Sequence, residues 1–119
     1  MKIFPVLRNV PPKLQVVTVP QFDMTQCTKV KTFVDEGNCI YPELQICAGG
    51  EEGKDSCAGD SGSGLMRAVR ASRNKTAAFY LVGVVSWGLT YCGGRNVPAI
   101  YAKASKYLPW ILDSLSKLI

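Results

Sequence analysis

The chain has 119 residues, 47% of them hydrophobic and 19% charged, with a formal net charge of +5. That is enough chain for one small globular domain, and no apolar run reaches the ~18 residues that a membrane span needs. The positive residues are scattered, neither gathered on one helix nor interleaved with aromatics, which excludes a nucleic-acid footprint and reads as a solvated basic surface.

The opening Met1-Lys2-Ile3-Phe4-Pro5-Val6-Leu7-Arg8 is too short an apolar run, broken by Pro5 and Arg8, to be a secretory leader. Residues 1–9 hold no readable motif. Pro11 and Pro12 introduce a β-branched run over 14–19 that ends at Pro20 and predicts a strand. Residues 22–34 follow and include Cys27. Residues 35–42, rich in Asp, Glu, Gly and Asn, predict a loop. A short strand over 44–48 enters Gly49-Gly50-Glu51-Glu52-Gly53-Lys54. The spacing there is not that of a phosphate loop, and two glutamates repel phosphate.

Further strands are expected over 65–71, 79–86 and 97–103, with a polar turn over 71–76. That turn contains the glycosylation sequon Asn74-Lys75-Thr76, which has meaning only in a secreted protein. Leu108, Ile111, Leu112, Leu115 and Leu118 recur at helical spacing and predict an amphipathic helix over 105–118 that packs on the domain. Pro109 falls in its first turn, where a missing N–H costs little. Five cysteines point to an oxidising compartment. With no Cys-x-x-Cys pair and no histidine they do not read as zinc ligands.

The chemistry concentrates in Asp55-Ser56-Cys57-Ala58-Gly59-Asp60-Ser61-Gly62-Ser63-Gly64. A serine hydroxyl is a poor nucleophile until a neighbouring base takes its proton. It also needs donors aimed at the oxyanion that forms on attack at a carbonyl. Gly59, two residues before Ser61, can turn its N–H toward such an oxyanion because glycine tolerates dihedrals that other residues avoid.

A lone Gly-Asp-Ser-Gly is an ordinary turn sequence. The longer run is specific, because Val84-Val85-Ser86-Trp87-Gly88, Cys92, Pro98-Ala99-Ile100-Tyr101 and Trp110-Ile111 follow it in order. Over roughly residues 10–119 the chain resembles the chymotrypsin/trypsin family of serine proteases, with some likeness to the clip-domain proteases of arthropods.

The resemblance implies an all-β fold: most of the second antiparallel barrel of a trypsin-like protease, closed by a C-terminal helix. Residues 1–119 would then be a partial peptidase domain, with the N-terminal barrel outside this sequence. It implies that Ser61 is the nucleophile and that the Gly59 and Ser61 amides form the oxyanion hole. Asp55 would select a Lys or Arg side chain through charge-assisted bonds. Ser86, Trp87 and Gly88 would align the substrate backbone as an added strand, and Tyr101 would lie at the pocket floor. Asp60 would pair with the N-terminal amine created by zymogen cleavage. The implied disulfides are Cys27–Cys47 and Cys57–Cys92. Cys39 is left over, to be free, to replace a partner in the first pair, or to bridge to something outside the chain. A short helix is implied near Cys27. No metal or organic cofactor is implied. The expected product is a secreted endopeptidase acting on protein substrates, with neither nucleic acid nor membrane as a partner.

The departures weigh as much as the matches. There is no histidine in the chain, so the triad base is not among these residues. A lysine could serve in principle, but nothing in the sequence selects one. Ser63-Gly64 stands where the family often has Gly-Pro, and Arg67 where it commonly has a cysteine. Ala99 occupies a pocket-wall position that is usually glycine, which shrinks the pocket and leaves the balance between Lys and Arg open. The isolated chain is expected to be inactive. The alternative is a non-catalytic homologue that binds or regulates within a protease cascade.

Overall fold

A computed structural model of the chain describes residues 2–3, 15–55, 60–88 and 96–119. Among the described residues seven strands run β1 Lys2–Ile3, β2 Gln15–Val16, β3 Gln21–Phe22, β4 Gln45–Gly49, β5 Gly64–Val69, β6 Ala78–Trp87 and β7 Pro98–Lys103. Helices α1 Met24–Cys27 and α2 Lys31–Asp35 lie between β3 and β4. A 3-10 turn, Ala104–Tyr107, leads into α3, Leu108–Ser116. β1 and β2 form a two-stranded ribbon, and the others make an antiparallel sheet in the order β3-β4-β7-β6-β5.

β7 lies at the centre of the sheet, and its first four residues are buried. Its alternation divides two cores between the two faces of the sheet. Ala99 and Tyr101 join Ala48, Leu65 and Val85 on one face. Ile100 joins Cys27, Phe33 and Cys47 on the other, with Phe22, Met24, Val30, Ile40, Trp87 and Val97 packed around them. Pro98 is tolerated because it is the strand's first residue, where the missing ladder donor matters least.

The second face is roofed by α1 and α2. Asp23 caps α1 by accepting from the Thr25 amide at 2.8 Å. α2 ends on Gly37 at φ 71°. The Asn38 amide donates to Phe33 O and the Gly37 amide to Val34 O, a paired closure that satisfies the last carbonyls. Cys27 at the end of α1 is bonded to Cys47 in β4, the pairing that the resemblance implies. Cys39 has an exposed free thiol, so it does not replace either partner.

The strand expected over 14–19 and the helix expected over 105–118 differ from expectation. Of the strand expected over 14–19, only Gln15–Val16 is in a ladder, and residue 14 lies outside the described residues. Pro20 has no N–H to continue a ladder, although its carbonyl accepts from the Gly49 amide at 2.8 Å. The α-helix starts at Leu108, not at 105. Pro109 is confined to the first turn, and residues 104–107 tighten into the 3-10 turn. Its apolar face is only partly used. Leu108 and Ile111 line an open cavity of about 550 Å³ with Ile46, Leu81 and Val82. Leu112, Leu115 and Leu118 remain exposed.

Among the described residues the sheet is open. Val19 and Gln21 on one edge and Met66, Arg67 and Ala68 on the other line a single cavity of about 590 Å³. The sheet is therefore curled in the manner of a half-formed barrel, and the barrel is not closed.

Phe33 is the largest hydrocarbon of the second core, fully buried and edge-on to Trp87 at 5.3 Å between ring centroids. Replacing Phe33 by Ala is expected to destabilise the chain by about 3–5 kcal/mol, read as a lowered urea midpoint with the denaturant slope unchanged.

Candidate active site

Ser61 sits in a tight turn between two buried anchors. Asp60, just before it, is wholly buried and is engaged in an interaction there. The Ser63 amide donates to Asp60 O at 2.9 Å and closes the turn. Gly62 has φ 86°, a left-handed conformation that a side chain would strain. Two further bonds sew the turn to β6: the Gly62 amide donates to Val85 O at 3.0 Å, and the Val85 amide to Ser63 O at 2.9 Å. The outcome is an exposed serine on a turn whose backbone is fixed on both sides.

The same Val85 begins the next part of the site. Val85 pairs with Tyr101, but Trp87, two residues on, pairs with Ile100, so Ser86 is an extra residue in the ladder. Such a bulge shifts the alternation by one. Without it Trp87 would share a face with Val85. With it Trp87 turns to the opposite face and meets Phe33 with an interplanar angle of 68°. Ser86 and Gly88 remain exposed on either side of a half-buried Trp87. The segment after the bulge is therefore a rigid edge beside the serine turn, rigid because its indole is packed in the second core.

Asp55 approaches Gly49, the last residue of β4. A Cβ placed on Gly49 would stand 3.9 Å from Asp55 Oδ1 and 3.9 Å from the Ala99 amide nitrogen. A Cβ placed on Gly88 would stand 3.6 Å from the Ala99 Cβ. Asp55 and Ala99 thus meet at Gly49, which itself adopts φ 99°, and Gly88 lies against Ala99. Tyr101 is fully buried on the same face as Ala99.

The structure brings together Ser61, Ser86, Trp87 and Gly88 through Val85, Asp55 and Ala99 through Gly49, and Gly88 and Ala99 directly. Gly59, Cys57 and Cys92 lie outside the described residues. Two contributors were not singled out from the sequence. Val85 fixes the serine turn through its backbone alone, which leaves no mark on residue choice. Gly49 carried a readable sign, a glycine ending a strand, but its role depends on three segments meeting.

The arrangement offers an exposed hydroxyl at Ser61, exposed residues at Ser86 and Gly88, and a half-buried carboxylate at Asp55. CLIP domain-containing serine protease B15 of Anopheles gambiae is 39% identical over 95 residues, which cover 80% of this chain and 24% of the relative. Phenoloxidase-activating factor 3 of Holotrichia diomphalia is 42% identical over 103 residues, covering 87% of this chain and 27% of the relative. Inactive CLIP domain-containing serine protease A8 of Anopheles gambiae is 48% identical over 74 residues, covering 62% of this chain and 19% of the relative. The chain thus spans about a quarter of the first two relatives' length. Residues 7–111 match the family model described as Trypsin, and the chain belongs to that family of serine proteases.

Proposed function

We propose that this chain is the nucleophile-bearing part of a secreted, trypsin-like serine endopeptidase that cleaves protein substrates after Lys or Arg. The observation that carries this reading is the turn pinned to Val85, which presents Ser61 beside the Ser86–Gly88 edge. In this reading a base takes the Ser61 proton as its Oγ attacks the scissile carbonyl. The Gly59 and Ser61 amides receive the oxyanion. Asp55 holds the cationic side chain of the substrate, and Ser86, Trp87 and Gly88 pair with its backbone. Asp60 takes the new N-terminal ammonium that zymogen cleavage produces, and Cys57–Cys92 ties the pocket rim. Residues 1–119 act as a partial peptidase domain, completed by a barrel from polypeptide beyond this sequence. Extracellular protease cascades are the setting that the clip-domain relatives suggest.

The base is the missing part. The 119 residues contain no histidine. The base therefore comes from the completing barrel, and the chain alone is inactive. Without its base a triad enzyme retains only roughly 10³–10⁴-fold over water, even with an intact cleft. Pure refolded chain is expected to give no Ser61-dependent hydrolysis of Lys or Arg esters. Turnover that disappears in Ser61→Ala would overturn this.

A second reading is supported by the same lack of histidine and by the relative whose name marks it inactive. The chain would then use the groove to hold a partner within a cascade, without cleavage. The intact size of the native protein separates the two readings. An antibody to residues 106–117 should detect a species several times heavier than 13.0 kDa that converts to a cleaved form. A stable secreted species at 13.0 kDa would favour the binding module.

The specificity proposal has its own test in the complete enzyme. Asp55→Asn is expected to lower kcat/KM on Lys and Arg substrates by at least about 100-fold, since charge-assisted bonds contribute roughly 1.5–3 kcal/mol each. An unchanged ratio of basic to apolar substrates would exclude Asp55 from that role.

A further inference from the structure

We infer that Asn74 carries an N-linked glycan. The chain has four asparagines, and two residues after Asn9, Asn38 and Asn96 stand Pro11, Ile40 and Pro98. Only Asn74-Lys75-Thr76 meets the acceptor pattern. Its position in the fold matches what transfer requires. Residues 70–77 connect β5 to β6, and Asn74, Lys75 and Thr76 are all exposed there. The Lys75 amide donates to Ser72 O at 3.2 Å, so the turn is held by backbone. Among the described residues the Asn74 carboxamide makes no hydrogen bond. Modification therefore breaks no contact.

The surroundings support the same conclusion. Arg67, Arg70, Arg73 and Lys75 cluster along the hairpin, and the sequence has no Asp or Glu between Asp60 and Asp113. The tip has no local acidic partner to fold back on, so it stays in water. The Cys27–Cys47 disulfide places the chain on the oxidising route along which N-glycans are attached. In the transfer, Asn74 Nδ2 attacks the anomeric carbon of a lipid diphosphate-linked oligosaccharide. The new C–N bond forms, the anomeric C–O bond to the diphosphate breaks, and one amide proton leaves.

The glycan is remote from the proposed active site. β5 starts three residues after Ser61 and runs six residues away from it, about 20 Å at ~3.3 Å per residue. A large polar group at the hairpin tip therefore leaves the serine turn open. It covers the end of the hairpin, where Val69, Phe79 and Tyr80 are exposed.

The test is expression of the full chain behind a secretion leader in insect cells. Medium and microsomal fraction are both collected, so retention does not remove the readout. Chymotryptic peptides ending at Phe79 are weighed before and after an amidase that releases N-glycans. The expected result is a heavier peptide that loses its increment and gains aspartate at position 74. Asn74→Gln and Thr76→Ala should abolish the increment, and Thr76→Ser should keep it. Unmodified Asn74 in chain from both fractions would overturn the inference. Because the readout is mass, it stands or falls apart from any peptidase activity.

Discussion

The register slip at Ser86 is the constraint on which the site depends. One extra residue in β6 sends Val85 and Trp87 to opposite faces of the sheet. Val85 then faces the first core and, through its backbone, holds the serine turn. Trp87 faces the second core and is locked there by Phe33. Ser86 lies between these two anchored neighbours, and Gly88 follows against Ala99. Removing the bulge would move the indole into the space near Tyr101 and leave Phe33 without its aromatic neighbour. It would also turn Gly88 away from Ala99. A bulge next to a functional edge thus converts core packing into positional accuracy.

The second core extends that rigidity backwards along the chain. α1 and α2 are four and five residues long, too short to be stable as isolated helices. They persist because Cys27 is bonded to Cys47 and because Phe33 and Val30 bury against the sheet. The cap at Asp23 and the closure at Gly37 satisfy their ends. Where the resemblance implies one short helix near Cys27 there are two, and together they form the roof under which Trp87 is held.

Much of this was legible from residue patterns, and the rest was not, for identifiable reasons. Strands β4 to β7 followed from β-branched and aromatic runs between turn residues. The helix followed from leucine spacing, although its start depended on where Pro109 can be accommodated. The Ser61 motif announced itself, because that chemistry restricts residue choice at every position. The bulge could not be read: Val84-Val85-Ser86-Trp87 alternates no differently with or without an extra residue. The approach of Asp55 to Gly49 and Ala99 depends on three segments far apart in sequence. The open side of the sheet is likewise a property of pairing, which no local pattern reports.

The position of β7 bears on how the protein comes into being. It is the strand on which both cores rest, and it is the last strand among the described residues. β4 and β6 are each hydrogen-bonded to it and not to one another. During synthesis residues 98–103 follow every other strand of the sheet, so the pairings that complete both cores come last. Until that strand pairs on both sides, the buried residues of each core lack their central partner.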